Sequence, residues 1–70
     1  MPGILTGAVT AFDAERGLGT VTDDAGNELP FHCTEIADGS RQIAVGTKVA
    51  FTTAAGHLGR FEARGIVPLG

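Results

Sequence analysis

The sequence predicts a small all-β domain, a closed barrel of five short antiparallel strands. Short runs rich in Val, Ile, Thr and Phe recur between glycines, which favours strands over helices. Glycine-rich turns separate these runs, and one long connection follows the third run. Closure into a barrel would remove exposed strand edges, which are a liability in so small an all-β chain.

Length and composition limit the possible classes of protein. The 70 residues form one domain, residues 1–70, near the lower limit for a self-sufficient core. The net charge of −3 argues against strong nonspecific attraction to phosphates, although a local basic patch is compatible with it. Cys33 is the single cysteine, which excludes an internal disulfide and fits a reducing, cytoplasmic location. Because the sequence has neither a membrane-length apolar run nor a signal peptide, no membrane association is expected.

The first three strands are predicted at residues 5–12, 18–22 and 28–32, with turns at 13–17 and 23–27. Gly17 is placed to adopt a positive φ in the first turn. Pro30 lacks an amide hydrogen and therefore belongs at an edge or a bulge. Alternation predicts an inward face of Val9, Ala11, Leu29 and Phe31, and an outward face of Thr10, Phe12, Leu18, Thr20, Thr22, Glu28, Pro30 and His32.

The second half of the chain begins with an irregular connection, residues 34–46, in which Thr34 is predicted to cap one helical turn. The fourth strand is predicted at residues 47–53 and the fifth at residues 60–67, with a glycine-bounded loop between them. The expected inward residues of these two strands are Val49, Phe51, Phe61 and Ala63, and the expected outward residues are Arg60, Glu62 and Arg64.

Three segments of the chain resemble the cold-shock domain family. Residues 9–21, Val-Thr-Ala-Phe-Asp-Ala-Glu-Arg-Gly-Leu-Gly-Thr-Val, are similar to the family's Val-Lys-Trp-Phe-Asn-Ala-Glu-Lys-Gly-Phe-Gly-Phe-Ile. Residues 29–36, Leu-Pro-Phe-His-Cys-Thr-Glu-Ile, resemble Val-Phe-Val-His-Phe-Ser-x-Ile, and residues 45–51 resemble Glu-Gly-Gln-x-Val-x-Phe. The resemblance implies a five-stranded barrel of the oligonucleotide/oligosaccharide-binding (OB) type that binds single-stranded RNA or DNA.

The resemblance also implies where nucleic acid would bind, and the sequence departs from the family there. Family members stack bases on aromatic side chains, each stacked base contributing about 1–3 kcal/mol. The matching positions hold Ala11, Leu18, Thr20, Pro30 and Cys33, so only Phe12 and His32 remain as candidates for stacking through a flat ring. Weak binding is therefore expected. The candidate nucleic-acid-binding residues are Thr10, Phe12, Arg16, Leu18, Thr20, Pro30, His32 and Arg60.

Several of these residues allow two interpretations. Arg16 matches a phosphate-contacting lysine of the family, but it is also a solvated turn cation beside Glu15. Phe12 fits either a stacking residue or a hydrophobe of the barrel rim. His32 either stacks on or donates to a base, or is a strand histidine without a partner. Arg60 either contacts a nucleic-acid backbone or joins a row of surface ion pairs with Glu62 and Arg64.

Ala11 is a point of conflict between two predictions. Simple alternation places Ala11 inward with Val9, whereas the aromatic residue at the matching family position faces outward. A bulge between Val9 and Phe12 would reconcile the two.

The sequence offers no support for catalysis, a metal or a cofactor. Cys33 and His32 are neighbours on a predicted strand and therefore face opposite sides, and the remaining histidine, His57, stands apart in a loop. We find no nucleophile–base pair, phosphate-binding loop or paired catalytic carboxylates. The alternative to nucleic-acid binding is a barrel that has lost this activity and binds a protein partner. Its outer face is apolar but has few side chains on which a base could stack.

Overall fold

The computed structural model describes residues 3–56 and 61–69. Within them lie five strands: β1 (Leu5–Asp13), β2 (Leu18–Asp23), β3 (Glu28–His32), β4 (Lys48–Ala55) and β5 (Phe61–Pro68). Neighbouring strands pair antiparallel in the order β3-β2-β1-β4-β5. These strands confirm the predicted all-β architecture.

A single 3₁₀ turn, Cys33–Glu35, follows β3. Its capping residue is His32, whose side chain accepts a hydrogen bond from the backbone N–H of Thr34. The prediction that Thr34 caps this turn is therefore wrong, because a ring nitrogen takes the role that a hydroxyl commonly fills. None of the helical structure in residues 3–56 and 61–69 has the length and apolar character that crossing a bilayer requires.

The barrel is not closed by a hydrogen-bonded ladder in the described part of the chain. β3 and β5 form the two edges of the sheet and pack against each other along a seam. The segment after β3 joins this seam: the Ala37 N–H donates to the Ile66 carbonyl at 2.7 Å, and the Gly65 N–H donates to Glu35 Oε1 at 3.2 Å. The predicted closed barrel is thus a partly open one, as is usual for an OB-type fold.

The core lies between the inner faces of the strands. Its buried hydrophobic residues are Val9, Val21, Leu29, Phe31, Ile36, Val49, Phe51, Ala63 and Ile66. Gly19 allows the core to reach close to β2, because a Cβ added there would lie 2.5 Å from Phe31 Cζ and 2.8 Å from the Ala11 carbonyl oxygen. The predicted inward positions of Val9, Leu29, Phe31, Val49, Phe51 and Ala63 are confirmed.

Phe61 is the exception, and its predicted place in the core is wrong. Its side chain is 64% exposed, whereas Ala63, two residues later, is fully buried. Phe61 pairs with Ala55, the last residue of β4, so it lies at the end of the β4–β5 ladder. Alternation assigns a residue to a face of the sheet but does not reveal whether that face is covered at the strand end.

A bulge in β1 separates the faces of Val9 and Ala11. The β1–β2 register shifts between Val9, which pairs with Val21, and Ala11, which pairs with Thr20. Val9 is consequently buried and Ala11 exposed, although the two positions have the same parity. The bulge removes the conflict found in the sequence, and it shows that the predicted inward position of Ala11 is wrong.

Phe12 lies on the inner side of the bulged strand. The side chain is half-buried and packs against the core, its ring stacked on that of Phe31 with centroids 6.0 Å apart. The outward position that simple alternation predicted for Phe12 is therefore wrong, since the bulge inverts the pattern after Thr10.

Candidate nucleic-acid interface

The surface formed by β1, β2 and β3 gathers most of the candidate residues. Cross-strand pairing aligns Asp13, Leu18 and His32 in one row, and Ala11, Thr20 and Pro30 in the next. Directly opposed residues have Cβ atoms about 4.5–5.5 Å apart, so the two rows form one continuous surface. We call these six residues the outer face.

The outer face is accessible and largely uncharged. Leu18 is 46% exposed, and Ala11, Pro30 and His32 are also exposed, while Thr20 is partly covered. Pro30 lies on β3, an edge strand, where its missing N–H breaks no ladder bond to a further strand. The predicted edge position of Pro30 is confirmed.

Thr10 lies beside this face, at the bulge. Its side chain is exposed, and its hydroxyl oxygen lies 3.0 Å from Thr22 Oγ1 and 3.4 Å from the Thr20 carbonyl oxygen, to which it donates. The structure therefore places Thr10 near the second row, with its hydroxyl already engaged on β2.

Phe12 lies at the rim of the barrel rather than on the outer face. Beside its stack on Phe31, the ring lines a shallow cavity of about 440 Å³ with Ala14, Gln42, Ile43 and Ala44. This position fits the interpretation of Phe12 as a rim hydrophobe, with only part of the ring open to solvent.

Arg16 lies on the β1–β2 turn, at the edge of the first row. Asp13 Oδ1 accepts from the backbone N–H groups of Glu15 at 3.0 Å and Arg16 at 3.2 Å, which fixes the turn. Asp13 Oδ2 also lies 3.9 Å from Arg16 Nε, but the Arg16 side chain is 77% exposed. An ion pair this exposed contributes little free energy to the folded state. The guanidinium can therefore leave the Asp13 carboxylate and bind another anion.

His32 is the most constrained residue of the outer face. Its Nδ1 accepts from the Thr34 N–H at 3.2 Å and lies 3.0 Å from Thr34 Oγ1. Cys33 Sγ is 3.9 Å from the same nitrogen. Sequence reasoning identified His32 but missed Thr34 as its partner, although a polar residue directly before a helical turn is the usual signal for a cap.

Carboxylates adjoin the outer face at its other end. Glu28 follows the β2–β3 turn, which the carboxylate of Asp23 organises by accepting from the Asn27 N–H at 2.8 Å and the Ala25 N–H at 3.0 Å. The hydrogen bond from the Asn27 backbone is the main reason why the pKa of Asp23 lies below its usual value. Thr6 ties this turn to β1, because its hydroxyl donates to the carboxylate of Asp24.

The basic residues near the end of the chain are only partly described. Arg64 Nη2 lies 3.4 Å from Glu62 Oε1, a pair that fits the predicted row of surface ion pairs. The candidate Arg60 and the loop residue His57 lie outside the described residues. In the described part of the chain, no group of three or more His, Cys, Asp or Glu side chains could hold a metal ion.

The strand order and the seam between β3 and β5 define an OB-type β-barrel with an exposed face over β1–β3. The family model described as "'Cold-shock' DNA-binding domain" matches residues 5–69, and the chain belongs to the cold-shock domain family. This is generally a family of nucleic-acid-binding, non-enzymatic domains.

One solved structure illustrates the likeness. The chain described as "drosophila Unr CSD456" superimposes with a TM-score of 0.79 at 28% sequence identity. The match covers 97% of the present chain and 27% of the Unr chain. The present chain therefore corresponds to only one part of that larger protein.

Proposed function

We propose that this domain binds single-stranded RNA or DNA through its outer face, more weakly than a face built from aromatic rings. The observation that carries the proposal is the continuity of the two rows across β1, β2 and β3. An extended strand of nucleotides can follow such a surface, with bases against the side chains and phosphates toward the turn cation Arg16.

The expected weakness follows from the side chains of the outer face. A stacked base contributes about 1–3 kcal/mol, and it needs a flat π-face. Of the six outer-face residues only His32 has a ring system of that kind, while Leu18, Thr20 and Pro30 offer contact area alone. The loss of several stacking contacts lowers affinity by orders of magnitude, unless other contacts replace them.

A direct titration tests this proposal. Fluorescence anisotropy of a labelled pyrimidine-rich single strand at low salt should show saturable binding in the micromolar range or above. Leu18→Asp should weaken it at least tenfold, because the new carboxylate lies in the first row and repels phosphates. Val67→Asp, at an exposed apolar residue of β5 outside the outer face, is the matched control and should bind as wild type does. A folded domain that shows no binding at high micromolar concentration would sink the proposal.

A second candidate is a protein-binding barrel that no longer binds nucleic acid. It is supported by the exposed apolar side chains Leu18 and Phe61 together with the net charge of −3. Phe61 also lines a groove of about 570 Å³ with Leu29, Pro30 and Thr53. Partners that survive nuclease treatment in a pull-down and disappear with Leu18→Asp favour this candidate, whereas partners lost with nuclease contradict it.

The location of the protein is proposed on one observation. A single cysteine, Cys33, fits a reducing environment, and we propose the cytoplasm. Fractionation of cells that express a tagged full-length protein checks this, and recovery in an oxidising compartment would contradict it.

A further inference from the structure

The hydrogen bonds around His32 fix the position of its proton. The Thr34 backbone nitrogen lies 3.2 Å from His32 Nδ1, and an amide N–H can only donate. Nδ1 must therefore carry its lone pair, which leaves the proton of a neutral imidazole on Nε2.

Two further groups lie close to Nδ1 and are compatible with the same tautomer, because a hydroxyl or a thiol can either donate or accept. The hydroxyl of Thr34 lies 3.0 Å from Nδ1 and can donate to it, and the thiol of Cys33 approaches to 3.9 Å. The alternative tautomer, with the proton on Nδ1, would direct N–H against the Thr34 N–H and leave the 3₁₀ turn without its cap.

We propose that Thr34 is a positioning residue that holds His32 as the Nε2–H tautomer, so that the outer face presents a fixed hydrogen-bond donor to a bound nucleotide. The ligand half of this inference rests on the proposed function, while the tautomer is a property of the free domain. Nε2 is on the far side of the ring from Nδ1, and the His32 side chain is exposed. The nucleotide groups that suit this donor are base carbonyl oxygens, acceptor ring nitrogens and phosphate oxygens, whereas exocyclic amino groups do not.

The tautomer is tested by NMR on the ¹⁵N-labelled domain without ligand, at mildly alkaline pH. We expect nitrogen shifts typical of the Nε2–H form. A scalar coupling across the hydrogen bond between the Thr34 amide nitrogen and His32 Nδ1 is also expected. Thr34→Ser should leave both signals in place, because it keeps both donors. Shifts typical of a protonated Nδ1 would overturn the inference whatever the domain binds.

Two substitutions of His32 separate the contribution of its Nε2–H donor from those of its ring and of the cap made by Nδ1. His32→Asn keeps a capping acceptor at the place of Nδ1, but its amide nitrogen falls short of the Nε2 position. His32→Gln reaches the Nε2 position with an amide donor and loses the cap. Both remove the ring, so the comparison between them isolates the outward donor from stacking.

Binding of the labelled single strand should follow the donor rather than the cap. His32→Asn should have the thermal stability of wild type and bind about 2- to 10-fold more weakly than His32→Gln, the range expected for one hydrogen bond. Equal affinities of the two variants would overturn the donor role. If wild type binds no single strand, the proposed function fails, while the nitrogen shifts still decide the tautomer.

Discussion

Gly19 shows how one residue determines the packing of this barrel. The ring of Phe31 crosses it so closely that a Cβ would lie 2.5 Å from Phe31 Cζ, with the Ala11 carbonyl oxygen at 2.8 Å. A glycine inside a strand signals close approach, so the sequence could predict that something packs there. Which side chain does so depends on the pairing of Gly19 with Phe31, a contact between strands that the sequence does not specify.

Gly19→Ala should destabilise the domain by about 1–3 kcal/mol, because neither the Phe31 ring nor the backbone of β1 can retreat without disturbing the core. Equilibrium denaturation measures the change. Gly3→Ala is the matched control, since a Cβ there has no neighbour within 4 Å, and it should leave the free energy of unfolding nearly unchanged. Equal stabilities of the two variants would contradict the close contact.

Phe61 tests the correction to the predicted core. Because its side chain is 64% exposed, Phe61→Ser should change the free energy of unfolding by no more than about 0.5 kcal/mol. Phe51→Ala, at a residue 1% exposed, should cost about 3–5 kcal/mol. Thermal and denaturant unfolding of the two variants provide the comparison. Similar losses of stability in the two variants would contradict the exposed position of Phe61.

At the scale of elements, the strands were predictable and their irregularities were not. Alternating apolar residues specify which face of β3 is buried, as the burial of Leu29 and Phe31 confirms. The bulge in β1 is different, since residues 9–12 alone fit either a regular strand or an interrupted one. The family's outward aromatic at the position of Ala11 was the only sign of it. Thr34 was missed as the partner of His32 because the sequence reveals which residue can cap a turn, but not the direction of an imidazole.

The β2–β3 turn has a pH dependence that follows from Asp23. Its folded-state pKa lies below the usual 3.8, chiefly because the charged carboxylate accepts from the Asn27 backbone N–H. A lowered pKa means that this contribution to stability is complete above the usual value and is lost as the pH falls through the folded-state pKa. An NMR titration of the Asp23 carboxyl carbon should show the low midpoint. Asp23→Asn should be less sensitive to acid than wild type over that range, and an ordinary midpoint would contradict the turn geometry.

At the scale of the whole molecule, the shape of the domain favours nucleic-acid binding and its net charge disfavours it. The shape is that of a cold-shock domain with a continuous face over β1–β3, whereas the net charge of −3 repels a polyanion. Composition predicts the repulsion and the family resemblance predicts the face. Neither composition nor resemblance predicts whether the repulsion or the attraction is stronger. That depends on where Arg16 and the neighbouring carboxylates lie in three dimensions.

Salt dependence measures this balance. Each phosphate contact to a single strand contributes about −0.7 to the slope of log affinity against log salt. Arg16→Gln should therefore weaken binding at low salt and reduce the magnitude of the slope by about 0.7. Arg64→Gln, on β5 and outside the outer face, should leave the slope nearly unchanged. An unchanged slope for Arg16→Gln would show that Arg16 contacts no phosphate and is only a solvated cation of the turn.

The seam between β3 and β5 also bears on where local unfolding of the domain begins. Strand pairs elsewhere in the sheet are held by ladders of backbone hydrogen bonds, whereas this junction depends on side-chain packing and on isolated bonds such as the one from Ala37 to Ile66. Cooperative units with fewer shared bonds separate at lower free energy than the whole domain unfolds. We therefore expect local opening of the barrel to begin at this junction, with β1, the central strand of the sheet, the last to lose its partners.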